Sequence, residues 1–429
     1  MVKERYKQTE AGLIPEDWDT IPFSECFDTL PNNTLSRAEL NYNGGKVKNI
    51  HYGDVLIKFP SVLDCEKETI PFVNPESVAK VGTVVLQDGD IVIADTAEDD
   101  TVGKMTEIIG VREQRIVSGL HTIPCRPKQK DMFASKWLGY FMNHSSYHDQ
   151  LLPFVTGIKV SSVSKSAIAN TVIVVPKKEE QEQIVVALSD IDELIFNLEK
   201  FVEKKKAMRE GAVQTLITGC KRLPGFTGEW KEINLSKKSK IKARIGWQGL
   251  KKAEYLDSGY SFLITGTDFV DGYIDWHGCH FVAKDRYDQD TNIQVTNGDV
   301  LLTKDGTIGK VALVDGLAKP ATLNSGVFVI RPINNSYSAR FLYYVLSSSV
   351  FRTFLDELAA GSTIVHLYQK DLVKFDFYIP PTIEEQEAIA TVIYDMEAEI
   401  IRLQAKLEKY RKIKSGMMDE LLTGKVRLV

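Results

Sequence analysis

What this sequence lacks narrows its possibilities first. Its five cysteines (Cys26, Cys65, Cys125, Cys220 and Cys279) are scattered, odd in number and without a CxxC pair. That argues against a disulfide framework or a zinc ribbon and suits a reducing compartment. No apolar run approaches the roughly 20 residues that cross a bilayer. The charged start, Met1 to Lys7, is followed by no apolar segment of the secretory kind, so a cytoplasmic location is expected. A strong excess of one charge is also missing, since 53 basic and 58 acidic residues leave a net charge of −5. As a whole-chain average this counts against a nucleic-acid partner. The charge is uneven, however. Lys231, Lys237, Lys238, Lys240, Lys242, Arg244, Lys251 and Lys252 face Glu232 alone over one stretch, and local basicity of that kind can build a polyanion-binding face.

Signatures of chemistry are missing as well. Gly103-Lys104 and Gly309-Lys310 lack both the hydroxyl residue after the Lys and the upstream glycine of a phosphate-binding loop. Ile379-Pro380-Pro381-Thr382 lacks the polar first and aromatic last residues of an adenine-methyltransferase tetrad. The Glu-x-Lys triplets at Glu203 and Glu229 fall in a heptad helix and at a domain start, where chance explains them. His144 and His148 have metal-compatible i,i+4 spacing, and His277, Cys279 and His280 lie beside Asp275, but neither group is a complete ligand set. The run Asp95, Glu98, Asp99 and Asp100 lacks the spacing of a calcium loop and reads as solvated. No catalytic residue and no metal site are expected.

What is present is a repeat. Residues 176–223 overlay residues 381–428 at a constant offset of 205 without a gap. Pro176 and Glu179-Glu180-Gln181-Glu182 fall on Pro381 and Glu384-Glu385-Gln386-Glu387, and Thr218-Gly219 and Arg222-Leu223 fall on Thr423-Gly424 and Arg427-Leu428. So long a period describes two copies of a whole domain, each followed by its own helix. Ile184, Leu188, Ile191, Ile195, Leu198 and Val202 recur in steps of four and three, and the copy runs Ile389, Ile393, Met396, Ile400, Leu403 and Leu407. These are heptad stripes and the expected helix–helix interface. Each stripe spans about 50 Å and turns polar at matching places, Lys205 and Arg209 in one and Tyr410 and Lys414 in the other. Acid in the first turn and Gly219 or Gly424 at the end supply start and stop signals. Antiparallel packing of the two helices is favoured.

The globular parts read as mixed α/β (α+β). Val81–Leu86 and Asp90–Ala94 suggest strands around a Gln87-Asp88-Gly89 turn, Trp137–Met142 and Tyr147–Leu152 suggest helices, and Asn170–Val175 closes as a strand. Gly298-Asp299 mirrors Gly89-Asp90, Gly309-Lys310 mirrors Gly103-Lys104, and Ser325-Gly326 mirrors Ser118-Gly119, at offsets that drift. The expected organisation is 1–176 and 221–380 for the globular domains, with helical spacers at 177–220 and 381–429. A tandem pair of this kind implies a pseudo-two-fold arrangement and a target in two halves.

Taken in order, Gly12-Leu13-Ile14-Pro15-Glu16-Asp17-Trp18, His51-Tyr52-Gly53-Asp54, Gly89-Asp90-Ile91-Val92, Gly298-Asp299-Val300-Leu301-Leu302, the two Pro-x-x-Glu-Glu-Gln openings and the two Thr-Gly exits resemble the specificity subunit of type I restriction-modification enzymes over nearly the whole chain. The resemblance implies two target-recognition domains, each reading half of a split, asymmetric sequence in double-stranded DNA. It implies helices that separate them and dock methyltransferase subunits, two being expected, with restriction (motor) subunits beyond. S-adenosylmethionine, ATP and Mg2+ would then sit on the partners, this chain binding no cofactor and doing no catalysis. Two other readings stand beside it: a coiled-coil interaction scaffold without DNA readout, and a self-sufficient enzyme with an unrecognised site.

DNA contact requires phosphate clamps and base readers. In the second domain the candidates are Lys242, Arg244, Trp247, Gln248, Lys251 and Lys252, around glycines that would let the backbone approach, with Lys304 and Lys310 beside the Asp305-Gly306 turn. In the first they are Lys46, Lys48, His51, Tyr52 and Lys58, then Lys104 and Lys159, with Ser161 and Ser162 in nearby loops.

Overall fold

The computed structural model describes residues 5–157, 159–359 and 366–428, so the charged start at residues 1–4 lies outside the described residues. The chain divides into two compact units, one comprising Met1–Glu199 with Lys406–Val429 and the other Lys200–Ala405. Each unit therefore holds a globular domain, half of the long helix Lys178–Ile217 and half of the long helix Ile383–Leu421.

In unit 1 a five-stranded sheet runs in the order Phe27–Thr29, Thr122–Pro127, Ile91–Ala94, Met105–Ile109 and Val62–Asp64. In unit 2 the six-stranded sheet runs Ser239–Lys242, Val327–Pro332, Val300–Thr303, Val311–Leu313, Tyr273–Ile274 and Phe269–Val270. The central strands correspond: Ile91 and Val300 begin the middle strand, and Met105 and Val311 begin its antiparallel neighbour. A smaller sheet repeats too, Ile116–Ser118 lying parallel to Lys48–Ile50 as Ala321–Leu323 lies parallel to Ser261–Ile264. The Gly-Asp strings open the middle strands for a physical reason. Gly89 and Gly298 adopt φ of 88° and 89°, where a side chain would be strained. Asp90 then caps its own turn by accepting from the Gln87 N–H at 2.8 Å and binds Arg126 at 2.7 Å. Asp299 does the same with the Thr296 N–H at 2.8 Å and Arg331 Nε at 2.7 Å.

Backbone pairing settles the drifting offsets. The Gly103 and Gly309 N–H groups donate to the carbonyls of Ala94 and Thr303, so Lys104 and Lys310 are equivalent. The Gly119 N–H donates to Ile50 and the Asn324 N–H to Ile264, so Asn324, not Ser325 or Gly326, answers Gly119, and Gly326 answers His121. Val81–Leu86 forms no strand, because the backbone there is spent on the end of the 3-10 turn Pro75–Lys80 and an irregular run. Helices stand at Trp137–Phe141 and Ser145–His148, the second shorter than its composition suggests because Pro153 forces a separate turn at Leu152–Phe154.

The long helices are antiparallel within each unit, as ion pairs across them show. In unit 1 Lys414 meets Asp192 at 2.6 Å and Arg411 meets Glu199 at 2.6 Å. In unit 2 Arg209 meets Glu397, and Lys205 meets Glu399 at 2.8 Å. The polar breaks in the stripes are therefore matched bases and acids, with a tyrosine added to each: Tyr140 donates to Asp192 at 2.8 Å and Tyr344 to Glu397 at 2.9 Å. Ile191, Leu198 and Leu407 are buried in unit 1 and Val202 and Ile400 in unit 2, while Ile195, Met396 and Leu403 are half-buried. Ile184 and Leu188 depart from a pure seam, packing into the globular core of unit 1 beside Trp137 and Phe141, and Ile389 and Ile393 likewise join the core of unit 2. The first two turns of each stripe thus weld helix to domain.

The repeated signature residues do the welding. Glu180 and Gln181 are buried, as are Glu385 and Gln386. Gln181 accepts from the Ala134 N–H at 2.9 Å and donates to the Pro176 carbonyl at 2.8 Å; Gln386 accepts from Ser338 at 2.7 Å and donates to Pro380 at 3.0 Å. Glu180 receives Arg427 at 2.5 Å and the Trp18 indole at 2.9 Å, and Glu385 receives Arg222 at 2.5 Å. Gly424 (φ 69°) and Gly219 (φ 72°) turn the chain back after each helix, where an added Cβ would press on Trp18 or Trp230.

One buried carboxyl has no counterpart. Glu107 stands where unit 2 has Leu313, and accepts from the backbone N–H groups of Lys136 at 2.6 Å and Gly139 at 2.8 Å. Burial outweighs these donors and pushes its pKa up from 4.5 to about 7. Between those values the folded chain holds a proton that the unfolded chain has lost. Its stabilising share is therefore complete below pH 4.5 and lost as pH rises through 7, a fall of about 3 kcal/mol. Urea denaturation across pH 4.5 to 8 is expected to show this decline in the wild type and a flatter profile in Glu107→Gln; equal slopes would refute it.

Candidate nucleic-acid interface

Two facing loops in each unit, one after a strand of the smaller sheet and one after the middle strand of the main sheet, gather the polar side chains best placed to meet a ligand. In unit 2 they follow Ile264 and Thr303. The first begins Thr265-Gly266-Thr267-Asp268, with Thr265 accepting from the Thr267 N–H at 3.3 Å and Asp268 bonded back to the Thr265 N–H at 2.6 Å. The second holds Asp305, whose carboxylate meets His366 at 2.6 Å. Between them lies a cleft of about 420 Å3 lined also by Tyr255, His280, Lys310, Asn324 and Gly326. Thr267, His280 and Lys310 are exposed.

The same place in unit 1 follows Ile50 and Ala94. His51-Tyr52-Gly53-Asp54 stands for Thr265-Gly266-Thr267-Asp268, since His51 Nδ1 accepts from the Gly53 N–H at 3.2 Å as Thr265 accepts from Thr267. Tyr52 packs edge-on to His121 at 5.2 Å. Thr96 donates to Asp95 at 2.8 Å, and His121 lies 3.3 Å from that carboxylate. Here rings stand at the positions that Gly266 and Gly326 hold in unit 2.

The basic candidates divide sharply by burial. Lys242, Trp247, Lys251 and Lys252 are exposed, Trp247 at 77%, on a turn braced by Arg286 donating to the Gly249 carbonyl at 3.1 Å. Lys46, Lys58 and Lys159 are exposed too, Lys58 being held by the Thr69 carbonyl at 2.6 Å. Lys304 is half-buried over the Phe328 ring at 5.6 Å.

Others are committed to the fold, which corrects the expectation for them. Arg244 is 2% exposed and donates to the Leu323 carbonyl at 2.8 Å, burial holding its pKa below the ordinary guanidinium value. Gln248 is buried beneath the exposed Trp247. Lys104 reaches the Leu56 carbonyl at 2.6 Å, burial lowering its pKa, whereas its equivalent Lys310 is exposed. Lys48 is tied to Gln114 at 2.5 Å, and His51 is a buried helix cap whose burial lowers its pKa. A basic letter in the sequence does not reveal whether a carbonyl already waits for it. Sequence reasoning passed over Thr265, Thr267 and Asn324, weighed His280 only as a metal ligand and Asp95 as a solvated acid that could bind a cation or accept from cytosine N4, and left Thr96 and His121 aside. All but His280, which opens the strand His280–Val282, follow a buried strand, and only pairing across the sheets brings them together.

Among the described residues no cluster of three or more His, Cys, Asp or Glu could hold a metal ion. His144 instead meets Asp419 at 3.0 Å, His148 the Val102 carbonyl at 2.8 Å, and Asp275 caps the His277 N–H at 3.1 Å. Among them too, no helix is long and apolar enough to cross a membrane.

Comparison with known proteins gives this geometry its context. A family model, the type I restriction modification DNA specificity domain, matches residues 15–207 and again 240–410. A Methanocaldococcus jannaschii protein named for the specificity subunit of type I restriction enzyme MjaX is 24% identical, over 99% of this chain and 97% of its own. The MjaVIII specificity subunit from the same organism is 28% identical over 63% of this chain and 66% of its own. The fold is that of the type I restriction-modification system S subunit from M. genitalium, with a TM-score of 0.56 at 14% identity over 94% of this chain and 96% of that one. With the family domain matched twice and the two units built alike, this chain belongs to the type I restriction-modification DNA specificity family.

Proposed function

We propose that each unit reads one half of a split, asymmetric DNA sequence, and that the long helices seat two methyltransferase subunits and, through them, restriction subunits. The observation that carries this reading is a duplicated frame bearing two different loop sets: the helix openings and Gly-Asp turns repeat, while Tyr52 and His121 give way to Gly266 and Gly326. A frame kept alike positions; loops made different discriminate. Two copies of one docking partner are supported by apolar side chains exposed at equivalent helix positions, Phe196 and Ile413 in unit 1 answering Ile401 and Met208 in unit 2. Methyl transfer, with its S-adenosylmethionine, belongs to those partners, as do the ATP and Mg2+ of the restriction subunits, and this chain supplies the address in the cytoplasm.

The test is a methylome. The chain is co-expressed with its cognate methyltransferase in a non-methylating host and modified adenines are mapped by single-molecule sequencing. A split motif with a fixed gap is expected, and exchanging residues 221–380 for another family member's second domain should change one half only. A stable complex that leaves DNA unmodified and binds it without salt dependence would favour the interaction-scaffold reading.

A further inference from the structure

Because backbone pairing aligns the two frames residue by residue, the loops can be compared at identical points, and there they solve one problem in opposite ways. In unit 1 Tyr52 and His121 meet edge to face between the loops, with Asp95 and Thr96 bonded beside them. In unit 2 glycines occupy both ring positions, and the cleft of about 420 Å3 opens. Its rim carries groups suited to base edges. Asn324 accepts from the Gly326 N–H at 2.8 Å, which orients its amide. Lys310 is exposed, where its equivalent Lys104 is consumed by a carbonyl. Thr267 adds a hydroxyl, and Asp305 is held by His366.

We propose that this cleft is a major-groove reading site for base-pair edges, and that unit 1 reads instead with the Tyr52–His121 pair and its acid. The inference rests on the DNA-reading function proposed above and assigns residues to it. An oriented amide matches the N6/N7 edge of adenine, and an ammonium matches the O6/N7 edge of guanine. Tyr52 and His121 stand where Gly266 and Gly326 line the cleft in unit 2, so the two halves of the target are read by different chemistry.

The test uses the assembled complex and motif mapping. Lys310→Ala and Asn324→Asp are expected to relax one half of the motif at one or two positions, discrimination falling about tenfold or more, with the other half unchanged. Asn324→Asp keeps the acceptor for the Gly326 N–H while exchanging the amide donor for a charged carboxylate oxygen, so the contact that orients the side chain is preserved. His121→Gly should relax the opposite half. Gly326→His, whose added Cβ meets nothing nearer than Asn324 Oδ1 at 3.3 Å, should plug the cleft and lower methylation at least tenfold in a complex that still assembles. An unchanged motif in both Lys310→Ala and Asn324→Asp would overturn the assignment while leaving DNA reading intact. A wild-type complex that yields no split motif would sink both together.

Discussion

Replacing Glu180 with alanine is expected to cost unit 1 about 3–5 kcal/mol, the penalty for breaking a buried ion pair and leaving one charge behind. Glu180 is 1% exposed at its side chain and Arg427 11%, and the carboxylate also accepts from Trp18 Nε1, so one substitution takes from the guanidinium the more buried of its two carboxylates and orphans an indole N–H. Arg427 additionally binds Asp17 at 2.8 Å, which holds that carboxyl below its ordinary pKa. That second contact is partly solvated and cannot replace the first. Glu385→Ala should cost less, because Arg222 is 26% exposed and the Trp230 indole has no partner to lose. Denaturant melts of the full chain, with the first transition shifted by Glu180→Ala well beyond the shift in Glu385→Ala, are the check. Equal shifts would show that the buried glutamates contribute only as polar filler.

Deleting one heptad from each long helix, residues 199–205 and 404–410, is expected to abolish methylation of the original target and create a new one. Both half-sequences should survive with a gap shorter by about three base pairs, since seven helical residues span about 10.5 Å and a base pair about 3.4 Å. The motivation is that the helices overlay at a constant offset of 205 while the globular parts drift, as if helix length were the quantity held fixed. The antiparallel halves within each unit make a whole-heptad change the least disruptive one, because it preserves which residues face the seam. A motif with the original gap would end the idea that the helices act as the ruler.

The sequence by itself determined the duplication and the two long helices, and it carried the resemblance to the family, while the helices' antiparallel packing was only favoured until ion pairs showed it. The duplication, the helices and the resemblance follow from periodicity and from short strings whose residues have one physical use: an acid at a helix start, a glycine beyond its end, a Gly-Asp turn before a buried strand. It did not determine what the glutamates and arginines of those strings were for, because Glu180 meets Arg427 across 247 residues of chain. The fate of each basic residue was likewise invisible. Lys104 and Lys310 occupy one position in two frames, yet only the first finds a carbonyl within reach. Nor could spacing reveal that Tyr52 and Gly266 are equivalents, since they stand 214 residues apart, not 205, and only backbone pairing aligns them. Local patterns encode local structure. Which surface is left open to a ligand is a property of the packed whole, decided only when distant segments have taken up their partners.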